Sequence, residues 1–342
     1  MRILITGGCG FVGSNLAIYL MKKLNNAEIF SLDNLFRNGS RVNETRLKIA
    51  QIKNHRINIK DYKKISKLQK FDLIIDCCAE PAIEASNKEP DRVINTNLIG
   101  TFNVLKKCVK DNARIIFLST SRVYSIQSLR NLVKKKNIKK KINLKFTINE
   151  NFQTSLPKSL YGSTKLCSED LIKEFSYSDN IKYIINRFGV ISGPWQFGKQ
   201  DQGFVTLWMN KHLNNKNLSY IGFGGHGNQI RDVLHIQDVC EIILKQIINF
   251  SKINNQLFNV GGGIKNSISL KNLTKKCENI TGNVIKIKKI YKTSIFDIPY
   301  YVTENKKIKK FYNWEPKKDI NMILRDIHDW MLSNKKLINK YF

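Results

Sequence analysis

The sequence predicts an α/β protein, a doubly wound parallel sheet followed by a smaller C-terminal domain, and three observations predict it. Strand-like apolar runs alternate with helix-like stretches, at Ile3 to Ile5, Ile29 to Leu32, Leu73 to Ile75, Ile115 to Leu118 and Tyr183 to Ile185. Such alternation covers both faces of a parallel sheet with helices. The first run opens directly into Thr6-Gly7-Gly8-Cys9-Gly10-Phe11-Val12-Gly13 and then a helical pattern. At 342 residues the chain is long enough to bury a large core, in one domain or two interleaved ones.

The turn after the first run has a glycine wherever a side chain would interfere. Gly7 lets the chain leave the strand sharply, Gly10 brings bare backbone up to an anion, and Gly13 lets the next helix pack on the sheet. This is the opening of a Rossmann-type sheet, whose first helix offers unpaired N–H groups and a positive dipole end to a pyrophosphate. Asp33 ends the second run, 20 residues past Gly13, placed to accept hydrogen bonds from an adenosine ribose. Its charge repels the 2′-phosphate of NADP and so favours NAD. Arg37 is chemically able to take a phosphate, so NADP stays open at this point. Between the third and fourth runs, Asp91 to Cys108 carries Val93, Ile94, Leu98, Phe102 and Leu105 at helical spacing. One residue of its polar stretch, Asn95-Thr96-Asn97, is expected to face the dinucleotide.

From Ile126 to Asn149 the pattern dissolves into Lys- and Asn-rich sequence, an expected excursion from the sheet. The second half has glycine turns and aromatics (Trp195, Phe197, Phe204, Trp208). Helix-like stretches follow at Ile236 to Phe250, Leu270 to Thr281 and Asp319 to Leu332, with a strand-like run at Leu257 to Val260. The expected division is a dinucleotide-binding domain at 1–188 and about 229–262, with the lysine-rich insertion at about 126–149. Residues 189–228 and 263–342 are expected to form the smaller domain, a lid over the carboxyl ends of the strands, where open α/β sheets bind ligands.

Lys and Arg outnumber Asp and Glu by 58 to 27, a formal charge of +31. A charge of that size attracts polyanions. The excess is spread along the whole chain, however, and its one dense run, Lys134-Lys135-Lys136 with Lys139-Lys140-Lys141, falls in the insertion. Solvated surface is therefore expected, and the pattern argues against a nucleic-acid partner. No run of about 18 apolar residues appears, which argues against a membrane span. Met1 leads straight into a core strand, which argues against export, and the seven scattered cysteines read as reduced thiols of a cytoplasmic protein. Cys77-Cys78 is expected to pack inside a strand, and without a ligand-spaced Cys/His cluster no metal is expected.

After the fourth run comes Leu118-Ser119-Thr120-Ser121-Arg122-Val123-Tyr124, and later Tyr161-Gly162-Ser163-Thr164-Lys165. On a helix Tyr161 and Lys165 share one face. An ammonium beside a phenol stabilises phenolate, so the pair is expected to lower the tyrosine pKa and work as an acid/base. Thr120, at the strand end, is placed to bond a substrate hydroxyl or carbonyl.

Together with Asp33-Asn34-Leu35, Asn97 and Gly100-Thr101, Arg231-Asp232-Val233-Leu234-His235 and Phe258-Asn259-Val260-Gly261-Gly262, these motifs resemble the extended short-chain dehydrogenase/reductase family. That family contains the nucleotide-sugar epimerases and dehydratases, and the resemblance runs over essentially the whole length. It implies catalysis by Thr120, Tyr161 and Lys165. It implies NAD held by Gly7, Gly10, Phe11, Val12, Gly13, Asp33, Asn34, Asn58, Ile59, Asn97 and Ser119, with Tyr161 and Lys165. A nucleotide-diphosphate sugar would be contacted by Thr120, Arg122, Arg187, Gln196, Gln202 and Arg231 in a C-terminal substrate-binding domain. Arg231 would meet the diphosphate with its planar fork. The resemblance also implies a homodimer or higher homo-oligomer.

Within the family, the dehydratase branch places Asp-Glu right after the threonine, where this chain has Ser121-Arg122. Gly193-Pro194-Trp195-Gln196-Phe197-Gly198, Asp201-Gln202-Gly203 and Gly224 to His235 are most similar to the branch that epimerises CDP-paratose at C2, so a CDP-sugar is favoured. The aromatics Trp195, Phe197, Phe204 and Trp208 stand equally as a sugar pocket or as ordinary core. Asn58 stands where many relatives have an acid, Lys292 lies near a usual arginine position at Ser294, and Asp76 and Glu80 replace other residues at the third strand end.

Overall fold

The computed structural model describes residues 1–81, 88–135, 146–199 and 202–342. Lys136 and Lys139 to Lys141 of the basic run, and Asp201, lie outside the described residues. The chain forms two compact units. The first comprises Met1–Val123, Ser159–Arg187 and Val239–Phe258.

Its sheet contains β1 (Arg2–Thr6), β2 (Glu28–Leu32), β3 (Lys53–His55), β4 (Leu73–Asp76), β5 (Arg114–Thr120), β6 (Tyr183–Phe188) and the Gln256–Val260 strand. Across the sheet the order is Gln256–Val260, β6, β5, β4, β1, β2, β3. β1 pairs in parallel with β2 on one side and β4 on the other, Thr6 lying opposite both Leu32 and Asp76. The order of the strands reverses there, and open α/β sheets bind their ligands beyond the carboxyl ends of the strands at such a point. Leu4, Ile74, Ile115, Phe117, Val104, Leu105, Ile172 and Ile185 form one core cluster, each large apolar side chain worth about 1.5–3 kcal/mol on burial.

The five strands expected from apolar runs are all present. β3 was not expected, because Lys53-Asn54-His55 has no apolar pattern; it is a short edge strand, where polar residues suit the open side. The helix expected from Asp91 to Cys108 is helical from Pro90 to Asp111 and relaxes into a π-turn at Asn95–Ile99. Cys77 and Cys78 follow the end of β4 instead of lying inside it, and both are half-buried.

The second unit comprises Tyr124–Lys158, Phe188–Asp238 and Asn259–Phe342. The Ile126–Asn149 excursion begins with a regular helix, Ile126–Lys135, whose Ile126 and Leu129 are buried one turn apart. Strand β7 (Val190–Ser192) is followed by β8 (Leu218–Ile221), which pairs with Ile287–Ile290, and by β9 (Ile230–His235). β9 pairs with β7, Ser267–Ser269 and Tyr300–Tyr301. The helices Phe204–Leu213, Leu270–Thr281 and Ile320–Ser333 supply Val205, Trp208, Leu273, Cys277, Leu324 and Trp330 to a second core. Trp195, Phe197 and Phe204 pack on that core, and Trp208 donates its indole N–H to Thr274. Trp208 is thus a core residue, and the other three are partly buried at the edge of that core. Among the described residues no helix is long and apolar enough to cross a membrane.

Candidate active site

The glycine turn has the shape of a cradle. Gly7 has φ +61°, and a side chain there would press on Cys78 backbone at 2.9 Å. A Cβ on Gly13 would lie 2.3 Å from the Gly7 carbonyl, so the Phe11–Lys23 helix could not reach the turn. At Gly10 only the Gly7 carbonyl, at 3.0 Å, would be touched, which leaves the rest of that face to a ligand. No side chain caps the helix, whose first N–H groups begin at Phe11, Val12 and Gly13. Asp33, at the end of β2, accepts from Cys9 N–H of this turn at 3.1 Å and from Leu35 N–H at 2.7 Å. Burial raises its pKa, opposed by these bonds and by Arg37. A diphosphate on the bare turn with a ribose at the carboxylate fits these residues.

Asn34 accepts from Phe36 N–H, and Asn58 from Lys60 N–H, both as local turns. Ile59 is buried beneath Gly100, and its carbonyl accepts from the Asn103 amide at 3.0 Å. Asn97 is wholly buried with its side chain bonded to protein: its carbonyl accepts from Glu80 N–H at 2.7 Å, and its amide donates to Glu80 O and Thr164 Oγ1. It therefore ties the segment after β4 to the tyrosine helix. Arg37 pairs with Glu80 at 3.1 Å, and Arg92 with the same carboxylate at 3.4 Å.

Tyr161 and Lys165 lie on the Leu160–Ser178 helix, capped by Ser159. Gly162, between them, is what allows the approach: a Cβ there would sit 2.1 Å from the Arg122 carbonyl in the turn after β5. Tyr161 thereby reaches Thr120, with which it shares a hydrogen bond, and Arg122 N–H donates to Thr120 Oγ1 at 3.2 Å. The expectation of a lowered phenol pKa is corrected here. Burial holds Tyr161 above its ordinary value; the Thr120 hydroxyl, Arg122 and Arg37 pull it down, and Glu80 pushes it up. Lys165 is buried with its ammonium 3.8 Å from the Phe117 ring centre. Burial lowers its pKa, opposed first by Asp76. Asp76 is itself buried, bonded by Thr6 at 2.5 Å and Thr101 at 3.0 Å.

Two expected contact residues are engaged elsewhere. Arg187 is buried against Glu169, and Ser119 donates to the same carboxylate. Sequence reading missed Glu169, although its spacing of four from Lys165 was visible.

In the second unit, Arg231 meets Asp297 at 3.2 Å and donates to the Ile230 and Ile298 carbonyls. Arg130, in the stretch first read as an excursion, anchors the adjoining loop through the Ser294 and Asp297 carbonyls. Lys292 is exposed. Gln196 is buried, accepting from Ser192 and donating to the Ile191 carbonyl, while Gln202 bridges to Lys199.

A side-chain-free cradle, a carboxylate at the end of β2 and a threonine–tyrosine pair with a lysine at the end of β5 are the parts that a dinucleotide-dependent enzyme working on an alcohol or carbonyl carbon needs. Comparison with known proteins narrows the class. Residues 3–261 match the NAD dependent epimerase/dehydratase family, and the chain belongs to that family. It is 28% identical to CDP-paratose 2-epimerase of Salmonella typhi, over 97% of this chain and 100% of that protein. It is 27% identical to a putative UDP-glucose 4-epimerase of Methanocaldococcus jannaschii, over 98% and 99%. The fold matches the crystal structure of UDP-glucose 4-epimerase from Thermotoga maritima with TM-score 0.82 at 24% identity, covering 98% of this chain and 100% of that one. The protein is thus an NAD-dependent enzyme of the nucleotide-sugar epimerase and dehydratase kind.

Proposed function

We propose that the protein epimerises a CDP-linked sugar, CDP-paratose to CDP-tyvelose, by inversion at C2. The observation that carries this reading is the full-length similarity to CDP-paratose 2-epimerase. Ser121-Arg122 after Thr120 supports it, because dehydration needs additional proton-moving acids there. Bound NAD would be held by Gly7, Gly10, Gly13 and Asp33, and it supplies a reversible hydride acceptor. Tyr161 Oη removes the sugar hydroxyl proton and later returns it. Thr120 Oγ1 orients that hydroxyl beside the phenol. Lys165, one helical turn on from Tyr161, would help to hold the bound NAD. Arg231, steadied by Asp297, is the candidate for the diphosphate.

The test is NMR of purified protein with CDP-paratose, where CDP-tyvelose should accumulate to an equilibrium mixture without stoichiometric NADH release. Such release would instead mark a net oxidoreductase. Conversion of UDP-glucose alone would move the substrate to the other relative's class. No turnover of either sugar with NAD bound rejects the reading.

A further inference from the structure

The helix of Tyr161 and Lys165 carries a third ionisable group on the same face. Glu169 follows Lys165 at the same spacing of four. It is 0% exposed and its partner Arg187 is 5% exposed. Arg187 Nε lies 3.0 and 3.1 Å from the two carboxylate oxygens, and its Nη2 lies 2.6 Å from Oε2. Ser119 donates its hydroxyl to Oε1. One carboxylate therefore gathers the catalytic helix, the end of β5 and the end of β6. Apolar residues of similar volume are often as stabilising as a buried ion pair, or more so. What they lack is direction. Ser119 immediately precedes Thr120, whose hydroxyl bonds Tyr161, so the angle at which β5 ends sets that contact.

We propose that Glu169, aligned by Arg187, is a positioning residue for the reaction: by holding the Ser119 hydroxyl it fixes Thr120 against the phenol of Tyr161. Arg187 and Ser119 then serve the site from behind it instead of touching sugar or cofactor. This rests on the acid/base role of Tyr161 and not on the identity of the sugar.

Two readouts test it. The first is the ultraviolet titration of Tyr161, taken as the difference between each protein and its Tyr161→Phe counterpart; it needs no sugar, so a wrong substrate leaves it readable. The second is kcat against KM. Glu169→Ala is expected to raise the Tyr161 titration, through loss of the Thr120 hydrogen bond, and to lower kcat about tenfold with KM nearly unchanged. Arg122, Arg37 and Glu80, the charged groups facing the phenol, are untouched. Glu169→Gln with Arg187→Met keeps an acceptor for Ser119 and leaves no charge unpaired, and should restore both readouts. Ser119→Ala, which breaks the link without burying a lone charge, should shift both in the direction of Glu169→Ala and covers the case in which that variant does not fold. A titration and kcat unmoved in folded Glu169→Ala or Ser119→Ala, or no restoration by the double variant, overturns the proposal.

Discussion

At Tyr161 opposing forces meet on one oxygen. Burial favours the neutral phenol, whereas the Thr120 hydroxyl and the Arg122 and Arg37 guanidinium groups favour the anion. In the proposed reaction such a phenol stays neutral until a sugar hydroxyl is placed to exchange a proton with it. Tyr161→Phe removes the exchanging atom and leaves the ring, Gly162 and the glycine cradle in place. Turnover is expected to fall by about 10²–10⁴-fold, the usual worth of a general acid/base, with NAD still co-purifying. Turnover within a few fold of the parent, measured by the NMR assay, would put the proton transfer on another group. Tyr161 and Thr120 were legible because chain order and strand-end position are written in the sequence. The direction of the phenol shift was not, since it depends on burial that no local spacing encodes. Arg187 shows the same limit: resemblance alone placed it at the sugar, and its partner Glu169, 18 residues earlier, comes into view only in the fold.

Elements with strong periodicity were legible, and the remainder lacked a pattern for physical reasons. Parallel core strands such as β4 announce themselves by unbroken Leu-Ile-Ile runs, whereas the edge strand β3 buries too little to need apolar residues. The helix Ile126–Lys135 was hidden by its lysines and asparagine, although Ile126, Leu129 and Val133 mark one face. Junctions between elements also carry energetics that sequence does not announce. His235 closes β9, and its Nδ1 accepts the Gln237 N–H at the start of the next helix at 3.0 Å. It is 3% exposed, with Asp326 3.4 Å from Nε2. Burial pushes its pKa from 6.5 down to about 4, against the pull of Asp326 and with a small addition from Lys318. The folded chain therefore binds fewer protons here than the unfolded chain between pH 4 and 6.5. Stability contributed by neutral His235 is present above pH 6.5 and is lost as pH falls towards 4, by at most about 3 kcal/mol. Urea midpoints across that window should fall less steeply for His235→Gln than for the parent. Equal slopes would show that this junction does not govern acid sensitivity.

For the whole molecule the dominant long-range term is the charge of +31. Carboxylates that matter locally are already matched: Asp111 with Lys107 at 2.8 Å, Glu169 with Arg187, Glu80 with Arg37 and Arg92. Those pairs are mostly buried, so salt screens them little. Much of the excess is unlike them, with Lys288, Lys289, Lys292 and Lys306 exposed to water. Lysines of this kind repel one another over tens of ångströms at low ionic strength, and the compact state bears that repulsion more than the expanded one. At about 0.1 M salt the Debye length shortens to about 10 Å, which removes most of it. Raising NaCl from about 10 to about 150 mM should therefore raise Tm by a few degrees. The opposite sign, a Tm that falls over that range, would mean that exposed attractive pairs outweigh the net repulsion. In that case the lysines would be organised against local carboxylates, and the reading of the excess as dispersed, solvated charge would fail.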